Sequence, residues 1–358
     1  MKKKIFFQIF FVIFLVLPVF GQRDSTGAKS AIPDNSQKSF GLFEDDKPLE
    51  ISLRFDMTTY LRKKPQIDYL KAVMTIHLSN ADSLIENIRL RTRGIFRNQY
   101  CYFAPIELNF KKVDFGYSDL NKISKIKLVP QCNIGSENEN YVLREYLVYK
   151  MFNVLTDTSF RVRLLTINYI DTEKKRKPIR QYGFFIEPVE MLTARTHSVP
   201  VTARTLTQKS IFPKEMDRLA IFNYMVGNYD WAVPPLHNVK IIKPLVFDTI
   251  QLAIAIPYDF DWTGLVNADY AIPADEITGT KTVRERIFLG VCRSKEVYLK
   301  DLEQFLEKKE EFYRVINEFP YLSTRSKKDM TAYLDGFFNQ CVGRKDIINI
   351  LLNSCKNF

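Results

Sequence analysis

The densest grouping of residues able to do chemistry lies between positions 227 and 264. Gly227-Asn-Tyr-Asp-Trp231 comes first, then His237-Asn238, then Pro257-Tyr-Asp-Phe-Asp-Trp-Thr-Gly264. Asp230, Asp259 and Asp261 supply carboxylates, and Asn228 and Asn238 supply amides. Asp259 and Asp261 stand two apart at a strand end, where a stop or bend turns both to one side. Carboxylates with an amide make an oxygen-rich donor set that suits a hard cation such as Mg²⁺ or Mn²⁺. The order also suits phosphoryl transfer: a base Asp, then an Asn, then a hairpin, then a metal-binding Asp in a D-F-x context. Asn238 follows Asp230 by eight residues, a longer spacing than that of the ordinary loop of this chemistry. Taken singly, the same residues are turn and capping residues between strands.

Helical and strand-like segments flank this stretch. Residues 213–227 have helical spacing, with Leu219, Ile221, Phe222, Met225 and Val226 inward. Residues 238–242 and 250–256 read as strands. Upstream, 51–55, 72–77, 88–92, 105–110 and 126–129 alternate in the manner of half-buried strands and make a β-rich region at 47–137. A helix over 139–155 and a hairpin over 163–169 and 181–187 follow, joined by the basic turn 171–177. That hairpin, the aspartate motif and the segments between them make a central α+β region at 138–294. The tail, 295–358, is helical over 295–318, 324–341 and 345–352. The fold class is therefore α+β, with a β-rich N-terminal lobe and a largely helical C-terminal lobe. His77 sits within a strand as a structural residue, and His197 lies in a loop.

The N-terminus indicates export. Lys2, Lys3 and Lys4 precede an apolar run from Ile5 to Phe20, and Val19-Phe20-Gly21 fits a cleavage site before Gln22. The run is shorter than a comfortable membrane span, so 1–21 reads as a signal peptide and 22–46 as a polar, disordered leader. The expected location is periplasmic or extracellular, with no membrane span after cleavage. Disulfides are then allowed. Cys101 and Cys132 share the β-rich region and are the favoured pair; Cys292, Cys341 and Cys355 can supply a second bridge. Lys+Arg number 52 against 41 Asp+Glu, a surplus that suits a solvated basic surface and not a nucleic-acid footprint.

N-x-D, then H-N, two strands and P-x-D-F-D resemble the spore-coat-protein-H (CotH) type of atypical kinase, in particular an uncharacterised exported bacterial subgroup related to it. Arg91-Thr-Arg-Gly94 with Arg97 is similar to the R-G-x-x-R segment of that family. Lys127-Leu-Val129 followed by Tyr141-Val-Leu-Arg-Glu145 is similar to the segment leading into its first large helix, and Tyr182-Gly-Phe-Phe-Ile-Glu187 to its G-x-Y-x-x-x-E strand. The resemblance implies a bilobal atypical-kinase-like fold using ATP or another nucleotide with Mg or Mn. It implies Asp230 as the catalytic aspartate, and Asn238 and Asp259 as metal ligands with Asp261 supporting. It places Arg93, Arg97 and Glu187 at the nucleotide, with Asn228 and His237 in support.

The P-K-K that often follows the R-G segment is replaced here by Phe103-Ala-Pro-Ile106, leaving Lys111, Lys112 or Lys127 as the phosphate-binding lysine. The acceptor, protein or small molecule, is not specified. Two other classes share these residues: a catalytically inactive envelope module binding a partner or glycan through the same cleft, and a metal-dependent phosphohydrolase.

Overall fold

The computed structural model describes residues 38–357, apart from 79–81, 204, 246–251, 274–278, 280–281 and 343–344, and describes residue 345 without its side chain. The segment expected to be a signal peptide and most of the leader lie outside the described residues. Residues 38–46 are packed, contrary to the expectation of a leader disordered to position 46. The backbone N–H groups of Phe40 and Gly41 donate to the Asp119 carboxylate, both at 2.7 Å. Arg163 pairs with Asp45 and Lys150 with Asp46. A polar composition did not forecast this, because the partners lie about 80 to 120 residues away in sequence.

Alternating apolar residues build the strands β1 (Leu49–Phe55), β2 (Leu70–His77), β3 (Ser83–Thr92), β4 (Ile106–Asn109) and β5 (Lys125–Pro130). In β1, Leu49, Ile51, Leu53 and Phe55 are all buried and the residues between them are not. The hairpin β6 (Val162–Asp171) and β7 (Ile179–Ile186) joins the same sheet. The order β1-β2-β3-β4-β5-β7-β6 closes into a barrel, with β1 parallel to β6 and the other pairs antiparallel. A boundary at 137/138 therefore falls within the barrel's strand set. Closure depends on register between distant strands, such as Leu53 opposite Tyr169, which local alternation does not encode. His77 bonds Ser52 across the β1/β2 pair at 2.9 Å.

The barrel interior is one hydrophobic cluster, including Phe55, Tyr60, Phe103, Tyr169 and Phe185. A second surrounds α4 (Ser136–Leu155), which lies against the outer face of β6 and β7. Tyr146 and Tyr149 of α4 both meet Phe184 of β7, with ring centroids 6.0 and 5.6 Å apart. Short helices α1 (Met57–Lys63), α2 (Phe96–Tyr100), α3 (Ser118–Asn121) and α5 (Val189–Arg195) interrupt the strands; none has the length to show a helical period in sequence. The C-terminal half holds β8 (Ser198–Val201), α6 (Pro213–Val226), β9 (Val239–Pro244), β10 (Ile254–Pro257), α7 (Lys295–Glu307), α8 (Lys309–Asn317), α9 (Thr324–Val342) and α10 (Lys345–Ser354).

The strand expected over 250–256 begins at Ile254, its first two positions lying outside the described residues. The helix expected over 295–318 is two helices that break at Lys308, whose ψ of 3° leaves the helical range. Apolar spacing runs on through the break because Phe305 and Phe312 stack on each other across it, at 6.4 Å. Among the described residues, no helix is long and apolar enough to cross a membrane.

Two disulfides tie this frame. Cys101–Cys132 joins the residue capping α2 to the segment after β5, and Cys292–Cys355 holds the segment after α10 beside the start of α7; Cys341 is buried and free. Removing the first by Cys101→Ser with Cys132→Ser frees a loop spanning 31 residues. Chemical denaturation of the double variant should show stability lower by about 2–4 kcal/mol.

Candidate functional site

Pro213 at the first turn and Gly227 at the end define α6, and Gly227 takes the left-handed conformation at φ +70°. The chain then turns sharply. Asn228 donates from its backbone to Asn223 O at 2.7 Å and from its side chain to Asn223 Oδ1 at 2.9 Å. Asn228 Oδ1 in turn accepts from the Asp230 backbone at 3.0 Å. Ala232 and His237 pair through both backbone groups, which brings Asn238 back beside Asp230. Asn238 Nδ2 donates to the Asp230 carbonyl at 2.8 Å and to its carboxylate at 2.9 Å; His237 Nε2 lies 2.6 Å from the other carboxylate oxygen. The Asp230 side chain is one-third exposed. It is a carboxylate fixed in direction and open to solvent on one side, which is what a base acting on a bound hydroxyl requires.

Asp259 follows β10 with φ +67°, a backbone conformation uncommon outside glycine. Its N–H donates to the Tyr149 hydroxyl of α4 at 2.8 Å, and Phe260 is buried against Tyr149 and Phe222. This turn separates the ring, which enters the core, from the two flanking carboxylates. Those carboxylates meet a third. Glu145 of α4 offers an oxygen that, with one each from Asp259 and Asp261, makes a trio lying within 4.8 Å of one another. Glu145 and Asp261 are 1% and 5% exposed.

Arg97 of α2 reaches into the same cluster. It donates to Pro130 O at 2.8 Å, and pairs with Glu145 at 3.3 Å and with Asp261 at 3.9 Å. Even so, Glu145 Oε1, Asp261 Oδ2 and Arg97 Nε lack hydrogen-bond partners. Buried polar atoms are ordinarily satisfied, so an orphan oxygen on each of two carboxylates of one close trio fits a cation. Glu145, Asp259 and Asp261 are the residues able to hold it.

Burial, then the charge of Asp259, pushes the Asp261 carboxyl up to about 7. Burial, then Asp261, holds Glu145 well above the usual carboxylate range. Burial opposes the charge on Arg97, but Tyr270, Asp261, Glu145 and Asp259 outweigh it and hold the guanidinium above its ordinary value. Asp230 also acts on Asp261 through its charge, which links that carboxylate to the trio.

Beside the trio, a cleft of about 240 Å³ is lined by Lys127, Lys240, Tyr258 and the 186–190 segment that leaves the barrel. Lys127 and Lys240 lie 4.7 and 5.4 Å from the Tyr258 ring centroid. Lys127 is pushed down to about 7 by burial, then by the charges of Arg93 and Lys240, while Asp259 acts against the shift. Lys127 and Lys240 thus share one anion-attracting wall, with Arg93 near enough to act on both through its charge. A wider groove of about 910 Å³ between α4 and α8 holds none of the carboxylates of the trio.

The structure brings together Asp259 and Asp261, and separately Asp230, Asn228, His237 and Asn238. Arg93 lies near the cleft and acts on Lys127 and Glu145 through its charge. Arg97 is buried among carboxylates and not free for phosphate. The Glu187 carboxylate accepts from Arg195 Nε at 2.8 Å and from the Arg161 backbone at 3.1 Å, so its oxygens hold α5 in place. Of the three candidate lysines, only Lys127 lines the cleft. Nothing in the spacing marks Glu145 as a ligand; the local signal is the adjacent charged pair Arg144-Glu145 within an otherwise apolar stretch of helix from Val142 to Val148.

No family model matches the chain, and no curated protein matches it. Among solved structures it is similar to the crystal structure of a Helicobacter pylori proinflammatory kinase, CtkA. The identity is 12% and the TM-score 0.36, over 82% of this chain and 93% of that one. A likeness of that size assigns nothing to this chain by itself.

Two measurements check this geometry. A cation binds the ionised carboxylates, so Mn²⁺ affinity should rise by at least about tenfold per pH unit on approaching the Asp261 value and go on rising while Glu145 ionises. Without metal the sign for stability is opposite. A carboxyl raised when folded binds more protons in the folded than in the unfolded state, so stability in chelator should fall from about pH 4 to about pH 7. Lys127→Met removes a half-buried cation that, among the described residues, has no ion-pair partner within 4 Å. It should raise stability by about 1–2 kcal/mol at pH 6 and by less at pH 9, where the folded lysine is already neutral.

Proposed function

We propose that the protein is an exported CotH-like, atypical-kinase-related enzyme that moves a phosphoryl group from a nucleotide to a hydroxyl acceptor with a divalent metal. The carrying observation is the trio Glu145, Asp259 and Asp261, two of which carry an orphaned buried oxygen, with the Lys127 cleft reaching as far as Tyr258, the residue before Asp259. Bound there, Mg²⁺ or Mn²⁺ neutralises phosphate charge and orients the transferred group.

The remaining roles belong to the chain. Lys127, Lys240 and Arg93 attract the polyphosphate. Tyr258 and the 186–190 segment wall the cleft. Asp230, held by Asn238 and His237, accepts the hydroxyl proton as the acceptor oxygen bonds to phosphorus and the bond to the leaving phosphate oxygen breaks. Arg97 holds Glu145 in position. The barrel core and the helical core read as two lobes meeting at this cleft. The two disulfides support a location outside the reducing cytoplasm.

Calorimetry with ATP and other nucleotides, with and without Mg²⁺ or Mn²⁺, tests the reading. Asp259→Asn should remove metal-dependent nucleotide binding. Asp230→Asn should retain binding within about twofold yet lose transfer by about 10²-fold or more, because the base acts on the other substrate. Absence of binding for every nucleotide with either metal would overturn the kinase reading in favour of a binding module. Slow phosphate release without transfer would favour the hydrolase.

A further inference from the structure

Away from the carboxylate trio, α6 and α7 bring two further acids together. Asp217, in the second turn of α6, is 3% exposed, and Asp301 stands half-buried in the middle of α7. Their carboxyl groups are within hydrogen-bond reach of each other. Arg293, next to the disulfide-bonded Cys292, directs its Nε at both oxygens of Asp217, at 2.9 and 2.8 Å. Asp301 Oδ2 is buried and has no hydrogen-bond partner.

Two carboxylates in contact do not both ionise readily, and a buried acceptor without a donor costs free energy. A proton on one of the two acids answers both problems. It removes the repulsion and supplies the missing donor, as a short, charge-assisted O–H···O⁻ bond. A metal cation would do the same, but the Arg293 guanidinium already stands against the pair. The other groups around it are weaker. Lys214 of α6 and Lys300 of α7 act on Asp301 from exposed positions, and Glu215 and Arg218 of α6 pair with each other. Tyr298 of α7 donates its hydroxyl to Val291 O and, pushed up to about 12 by burial, stays neutral. Burial also pushes Asp217 up to about 6 against the pull of Arg293, and the charge of Asp301 adds to the push. Burial likewise raises Asp301, with Arg293 and Lys214 opposing.

We propose that Asp217 and Asp301 share one proton and so form an acid-stabilised latch between α6 and α7. With the proton in place, the two helices are joined beside the Cys292–Cys355 bond. Without it, two negative charges face one guanidinium and the contact between the helices is weakened. The same α6 runs on to the Gly227 turn that precedes Asp230, so the latch braces the helix from which that turn departs. The proposal does not depend on the phosphoryl-transfer reading.

Denaturation of the full chain in chelator, from pH 4 to pH 8 at constant ionic strength, tests it. A carboxyl raised from 3.8 to about 6 on folding binds its proton more tightly in the folded state, so its stabilisation is lost as pH rises through that range. The loss amounts to about 100-fold in the folding equilibrium. Asp301→Asn keeps a donor for Asp217 at every pH and removes the second charge. Its stability should fall by about 100-fold less than that of the wild type between pH 4 and pH 7, and should exceed the wild type at pH 8. The trio and Lys127 are common to both proteins, so the difference between the two curves reports the pair. Asp217→Asn should remove the same step from the other side. Infrared spectra of the wild type at pH 5 should contain a protonated-carboxyl band that is weaker in either variant. Parallel pH curves for wild type and both variants would overturn the proposal, as would an undiminished carboxyl band in Asp301→Asn.

Discussion

Arg97 buried among three carboxylates is the interaction on which the site rests. Taking a guanidinium and two carboxylates out of water costs several kcal/mol per ion, and that cost is recovered only where geometry and hydrogen bonds are good. Here the recovery is incomplete. Arg97 is anchored well to Pro130 O, but its contacts with Glu145 and Asp261 are 3.3 and 3.9 Å long, and an oxygen on each acid is left without a donor. One fixed cation thus holds the acids near one another without saturating them. The surplus negative charge is what would draw a cation to the site under the proposed function.

Everything around this cluster serves to keep it in register. Arg97 rides on a five-residue helix too short to be stable alone, and the Cys101–Cys132 bond pins the end of that helix to the chain beyond β5. Glu145 stands on α4, a helix buried on nearly all sides, whose Tyr149 also fixes the Asp259 backbone. Asp259 and Asp261 are turned to the cluster because Phe260 between them is captured by the core. A shift of α4 against β7 would move Glu145 and Asp259 together, since the same helix touches both.

Lys127 shows the same logic with the opposite sign. Of the two acids whose charge reaches it, Glu107 is engaged by Arg91 and Lys125, and Asp259 belongs to the carboxylate trio without forming an ion pair with it. What remains around the ammonium is the face of Tyr258 and two further cations. An unneutralised cation in a narrow cleft destabilises the empty protein and attracts a polyanion, two consequences of one desolvation cost.

The sequence alone determined most strands, the long helices and the aspartate motif, because alternation, helical period and the spacing of Asp230, Asn238, Asp259 and Asp261 are local. It also showed that Cys101 and Cys132 belong to one region. Only the tertiary structure decided that the seven strands close into a barrel, since closure is a register between β1 and β6 more than a hundred residues apart. Only it decided that Glu145 completes the carboxylate trio, that Arg97 is an internal counter-charge, and that Glu187 is an anchor for α5. It also placed Lys127, and not Lys111 or Lys112, on the wall of the cleft. The reason is common to all of these. Residue type and spacing report what a side chain can do, whereas burial and the identity of its neighbours set its charge and availability, and both are fixed by contacts between segments distant in the chain.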